Sequence, residues 1–237
     1  MRIWLLTILA LSTGSLCAQR SHFGSWNVIT TRVTLSEKWG VYNELQLRSQ
    51  SFYNDHFYHE VKGGVSYAIN KNFVVLLGLG DYQTYSDGGN FVKPISAHET
   101  RLWQQLTMNH YLERIKFEHR YRIEQRWFTT GFRQRYRYRL NTAIPLNNTK
   151  IGPKTFFLSS FNELFLTNKA PYFERNRFFA GGGYQLSKHF TIQPGYVYQF
   201  DYRNNNTGFG KHFFQLTLTI DVNADKSPNE RIPGNLD

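Results

Sequence analysis

The chain has 237 residues, a formal net charge of +11, a single cysteine, and 17 % aromatic residues, with 20 Phe and 15 Tyr. One cysteine excludes a disulfide framework within the chain and a thiolate metal centre. No segment after the first twenty residues approaches the run of about 18 apolar residues that a membrane-spanning helix needs, and the length suits one domain.

In chain order, the first element is a leader. Arg2 supplies a positive start, residues 3–13 (IWLLTILALST) form a short apolar run, and small residues lead to Leu16-Cys17-Ala18-Gln19. This is the layout of a secretory signal peptide, so 1–18 is expected to be removed after Ala18. Lipidation at Cys17 is the alternative, and Leu16 is too large for the position before a lipidated cysteine. Export in turn argues against nucleic acid as the partner of the basic charge. An anionic membrane surface or small anionic solutes remain.

From residue 19 on, the chain reads as strands and turns. The predicted strands are 24–35, 39–52, 57–69, 73–84, 97–111, 114–128, 132–144, 155–167, 176–186, 189–202 and 211–222. Most exceed the usual globular strand and match the roughly 9–11 residues of a tilted membrane-crossing strand. Short connections at Ser36-Glu37-Lys38, Asn70-Lys71-Asn72, Leu112-Glu113-Arg114 and Ser187-Lys188 alternate with longer ones at 85–96, 168–175 and 203–210. That alternation is the pattern of a membrane barrel with short periplasmic turns and long outer loops. The connection 145–154 breaks it, being long where a short one is due. Eleven segments are visible. Single-chain bacterial barrels normally have an even number, so about twelve strands are expected, with ten as the alternative. The polar segment 223–237, with its two prolines, is expected to be a tail after a barrel spanning 19–222.

Two neighbouring strands alternate most sharply. One face of 114–128 carries Lys116, Glu118, Arg120, Arg122, Glu124 and Arg126, and the other carries Ile115, Phe117, His119, Tyr121, Ile123, Gln125 and Trp127. In 132–144, Arg133, Arg135, Arg137, Arg139 and Asn141 oppose Phe132, Gln134, Tyr136, Tyr138, Leu140, Thr142 and Ile144. Strand 39–52 repeats this with Glu44, Gln46 and Arg48 against Val41, Leu45 and Leu47. Successive side chains of a strand point to opposite faces. A soluble periplasmic sandwich would turn the charged face to water, whereas a membrane barrel would turn it inward and the apolar face to lipid. Strand length, leader and aromatic content favour the antiparallel transmembrane barrel.

The segments HETRLWQQL (98–106), HRYRIEQRW (119–127), RQRYRYRL (133–140), Pro145-Leu146-Asn147, NELFL (162–166) and NRFFAGGGYQL (176–186) together resemble a family of outer-membrane β-barrel proteins of Bacteroidetes-type bacteria, known only as a domain of unknown function. The resemblance runs from Trp26 to the last strand. It implies an outer-membrane barrel and carries no activity and no functional residue.

The candidate site is the charge ladder. Turned inward, Glu99, Arg101, Glu118, Arg120, Arg122, Glu124, Arg126, Arg133, Arg135, Arg137, Arg139 and Glu163 share one lumen. Eight arginines then face four glutamates. The ladder is either a salt-bridged polar core or the lining of a narrow, anion-preferring path. The alternative of a lipid-active hydrolase or acyltransferase needs a hydroxyl beside an imidazole. His98, His110, His119, Ser159 and Ser160 are its thin candidates. The pair His56 and His59, near Asp55 and Glu60, reads as a wet loop, not a metal site. No cofactor is expected. Gly63-Gly64, Gly78, Gly80 and Gly181-Gly182-Gly183 fall inside strands, where they admit bending or a large neighbour.

Overall fold

The computed structural model describes residues 23–86, 90–92, 94–202 and 207–223. The leader expected over 1–18 lies outside these residues, as does the expected tail apart from Asn223. The described chain folds into eleven strands: β1 (Phe23–Thr34), β2 (Trp39–Ser51), β3 (Asn54–Ala68), β4 (Phe73–Tyr85), β5 (Ile95–Leu112), β6 (Ile115–Phe128), β7 (Gly131–Pro145), β8 (Thr155–Thr167), β9 (Phe173–Gln185), β10 (Phe190–Tyr202) and β11 (Gly208–Val222). Each pairs antiparallel with the next, and β1 closes on β11. The alternative of a sandwich does not hold, because the sheet curls into one barrel.

Twelve and ten strands are both corrected to eleven. In an up-and-down meander of odd number, the first and last strands run in the same direction. Closure is therefore parallel, in register from Phe23 opposite His212 to Val33 opposite Val222. The barrel is antiparallel everywhere except at this seam.

At one end the connections are mostly tight. Leu35 N donates to Trp39 O, Ile69 N to Phe73 O and Leu186 N to Phe190 O, at 2.9–3.0 Å. The Asn70 carboxamide and the Ser187 hydroxyl accept from the backbone two and three residues on, which is the local bonding that makes these residues turn formers. The long connection 146–154 lies at this same end and is ordered by side chains. Asn147 Oδ1 accepts from Phe156 N at 2.8 Å, and Arg114 donates to the carbonyls of Pro145, Leu146 and Asn148.

Strands β3, β5, β9 and β11 reach two or three residues further toward the opposite, long-loop end than their alternation predicts. In three of them a β-bulge is the reason. Arg48 pairs with Tyr58 but Ser49 with His56, leaving Phe57 extra. Thr84 pairs with Ala97 but Tyr85 with Ile95, leaving Ser96 extra. Phe165 pairs with Arg175 but Leu166 with Phe173, leaving Glu174 extra. An inserted residue breaks the period of two, so the pattern looks like a strand end.

The two faces are chemically inverted relative to a soluble protein. Outward residues such as Leu77 (54 % exposed) and Leu158 (51 %) are apolar, while inward Glu124 and Glu163 are fully buried. The interior also holds rings. Trp26, Val28, Phe161, Phe179, Val197 and Phe213 cluster on one side, and Tyr42, Leu76 and Trp103 on another. Glycines make room for them: a Cβ on Gly78 would collide with the Trp103 indole, and one on Gly183 with the Phe157 ring. The ladder between β9 and β10 skips Gln193 and Pro194, where proline has no N–H to donate.

Candidate functional site

The register of β6 on β7 dictates the interior electrostatics. Arg120 lies opposite Arg139, Arg122 opposite Arg137 and Arg126 opposite Arg133. Like charges across a ladder repel, so carboxylates must be interposed from β6 itself or reach in from other strands. Glu163 of β8 does this for three guanidiniums. It accepts from Arg120, from Arg137 Nε at 2.9 Å and from Arg177 at 3.5 Å. Glu124, on β6 itself, takes Arg135 at 2.5 Å, Arg137 at 2.7 Å and Arg122 at 3.5 Å. Glu99 is gripped by both Arg101 and Arg126 through paired N–H donors. Glu118 meets Arg139 at 3.4 Å.

All of the predicted ladder faces the lumen. Ten of its twelve residues are buried, Glu118 and Arg133 are half-buried, and Arg133 sits near the long-loop rim. The structure adds residues that the alternation of β6 and β7 could not supply. On β2 and β3, Lys62 Nζ bridges Glu44 at 2.7 Å and Glu60 at 2.5 Å, all three buried. Arg48 donates to Gln46 at 2.8 Å and Glu60 at 3.4 Å, and its guanidinium lies between the rings of Trp26 (3.5 Å) and Tyr58 (4.2 Å). On β9, the bulge turns Glu174 inward, where it bridges Arg126 and Arg135 at 3.1 Å. Arg175 pairs with Asp201 of β10, and Arg177 donates to Gln199 at 3.2 Å. The signal for Glu44, Gln46 and Arg48 was present as mild alternation. The signal for Lys62 was interrupted by Gly63-Gly64, and that for Glu174 by its bulge.

Charge is unevenly balanced across this network. Among the described residues, its carboxylates are Glu44, Glu60, Glu99, Glu118, Glu124, Glu163, Glu174 and Asp201. The cations ion-paired to them are the seven ladder arginines other than Arg133, together with Arg48, Lys62, Arg175 and Arg177, while Lys211 lines the same space. Eleven cations thus share eight carboxylates, and Lys211 beside them makes twelve. A separate bidentate pair, Arg32 with Asp221 at 2.6 and 2.7 Å, lies near the short-turn end.

The centre of the lumen is filled by side chains that are at most 2 % exposed, including Trp26, Lys62, Trp103, Arg120, Arg122 and Arg139. Toward the long-loop end a cavity of about 220 Å³ remains. Its wall carries Arg48, Arg101, Arg126, Arg135, Arg137, Arg175, Arg177 and Lys211 against Glu60 and Glu99, with Tyr58, Tyr82, Phe128, Phe165 and Phe213 between them.

The hydrolase candidates do not assemble. Ser159 faces inward and donates to Asn141 at 3.1 Å, while Ser160 faces outward and bonds Thr142 at 2.8 Å. His110 and His119 stack at 5.1 Å on the outer face, where His119 bonds Tyr138. His98 pairs with Asp81 at 2.5 Å, both well exposed. His56 and His59 pack on Phe91, while Glu60 points into the lumen. Among the described residues no group of three metal-ligating side chains occurs.

The fold and interior define a closed β-barrel with an ion-paired polar core. The chain belongs to the family described as "Protein of unknown function (DUF2490)", which matches residues 23–209. No curated protein and no solved structure matches the chain.

Proposed function

We propose that this chain is an exported barrel of the bacterial outer membrane whose interior is a salt-bridged core, not a water-filled pore. The observation that carries the reading is the inversion of its faces: charge inside, a continuous apolar surface outside. That surface has aliphatic residues such as Ile29, Leu45, Leu79 and Ile123 at mid-height. Aromatic pairs flank them at both rims, with Trp39–Tyr67 and Phe156–Tyr184 at the short-turn end and Trp127–Phe132 and Phe23–Phe52 at the other. Aromatic girdles around an apolar band are what a bilayer demands of a barrel. Several outward polar side chains bond one another across strands. Gln104 bonds Gln125, Asn162 bonds Asn176, and Thr142 bonds Ser160. Such mutual pairing is how polar groups are satisfied where water is absent.

The filled centre favours a structural barrel over an open channel. Expressed with its leader, the protein is expected in the outer-membrane fraction, with heat-modifiable mobility on gels and no porin-sized conductance in planar bilayers. Recovery in the soluble periplasmic fraction would refute the membrane reading. Steps of porin size would refute the filled core.

A further inference from the structure

We infer that the lumen cavity near the long-loop end is a binding site for a compact, multiply charged oxyanion of the phosphate or short dicarboxylate class. The first ground is net charge. A surplus of four cations held in a largely desolvated space is costly and must draw in counter-charge. The cavity lies where that surplus converges, with guanidiniums arriving from β2, β5, β6, β7 and β9 and an ammonium from β11.

The second ground is how the arginines are held. Arg48 lies over Trp26 and Tyr58, Arg101 over Tyr82 at 3.6 Å, Arg137 over Phe165 at 4.5 Å, and Arg177 over Phe165 at 5.0 Å. A ring face fixes a guanidinium plane by cation–π attraction without cancelling its charge. Each of the four also meets a carboxylate: Arg48 meets Glu60, Arg101 meets Glu99, Arg137 meets Glu124 and Glu163, and Arg177 meets Glu163. The rings therefore set the guanidinium planes, while the excess of cations over carboxylates sets the sign of the field. Fixed, planar, charged forks are what recognise phosphate and carboxylate bidentately.

The third ground is size. About 220 Å³ falls below the roughly 300–1,000 Å³ of pockets for drug-sized ligands. The ligand is therefore a small solute, or the headgroup of a lipid reaching in from the rim.

The test uses the purified, folded barrel in uncharged detergent, so it does not depend on where the protein resides in the cell. Inorganic phosphate and succinate are titrated by calorimetry, with chloride at matched ionic strength as the reference. Saturable one-to-one binding of phosphate or succinate is expected, with none for chloride. Arg48→Met is expected to weaken it by about tenfold, the loss of one charge-assisted contact. Because Arg48 also packs in the core, Lys211→Gln serves as the second variant. It sits at the half-buried rim and is expected to weaken binding severalfold while leaving heat-modifiability intact. Micelles doped with phosphatidic acid, whose phosphomonoester can carry two charges, identify the source: competition with phosphate assigns a lipid headgroup, and none assigns a free solute. No saturable heat from either probe, or binding unchanged in both folded variants, would overturn the site.

Discussion

At the residue scale, one carboxylate carries an unusual share of the interior. Glu163 is fully buried and takes contacts from Arg120, Arg137 and Arg177. Glu163→Gln keeps the shape and removes the charge, leaving three guanidiniums to repel in a dry space. Breaking a buried pair costs about 3–5 kcal/mol, because the remaining charge has lost its partner. Asp81→Asn is the comparison. It breaks the pair with His98, where both side chains are more than 40 % exposed, and such pairs contribute about 0–1 kcal/mol. Urea midpoints of the micelle-bound barrel are expected to fall strongly for the first variant and hardly for the second. Equal shifts would mean that the lumen is wet enough to screen its charges. Glu163 was named with the ladder from the sequence, although NELFL itself does not alternate, since Asn162 and Glu163 are adjacent polar residues before three apolar ones. Glu44 and Lys62 were less legible, because one acid per strand is an ordinary sight and only pairing shows that they meet.

At the element scale, the strands that read best were those with unbroken alternation, β6 and β7, where every second residue is charged. Strands β3, β5 and β9 lost their loop-end residues to bulges, whose extra residue looks like the end of the pattern. The glycines were legible as places for bending or a large neighbour, but not which neighbour. The structure supplies it for β4 and β5, where Gly78 lies directly opposite Trp103 and the buried indole covers the missing side chain. Gly78→Ala is expected to destabilise the barrel by about 1–3 kcal/mol through overpacking. Adding Trp103→Phe should return part of that loss. A coupling of at least about 0.5 kcal/mol in the double-mutant cycle is the checkable quantity. Strict additivity would mean that glycine is needed at this position for its backbone, not for the ring it accommodates.

At the scale of the whole molecule, the up-and-down barrel and its inward charge follow from strand length and alternation, but closure does not. Whether the first and last strands meet parallel or antiparallel at the seam is decided by the parity of the strand number, and no local pattern records it. Evenness favoured a twelfth strand, whereas the eleven visible segments suffice once β1 and β11 run parallel. The two closures are separable by distance. With eleven strands, Ile29 stands opposite Leu218, one inter-strand spacing away. A further strand between them would put their backbones about 10 Å apart, at roughly 4.8 Å per spacing. A disulfide spans Cα atoms up to about 7 Å apart. In a Cys17→Ser background, the pair Ile29→Cys with Leu218→Cys is therefore expected to cross-link under mild oxidation in the folded, micelle-bound protein. The pair Ile29→Cys with Leu45→Cys, opposite each other across the antiparallel β1–β2 ladder, is the positive control. Cross-linking of the control alone would show that β1 and β11 are not neighbours. The barrel would then need another strand, or would be open at an edge.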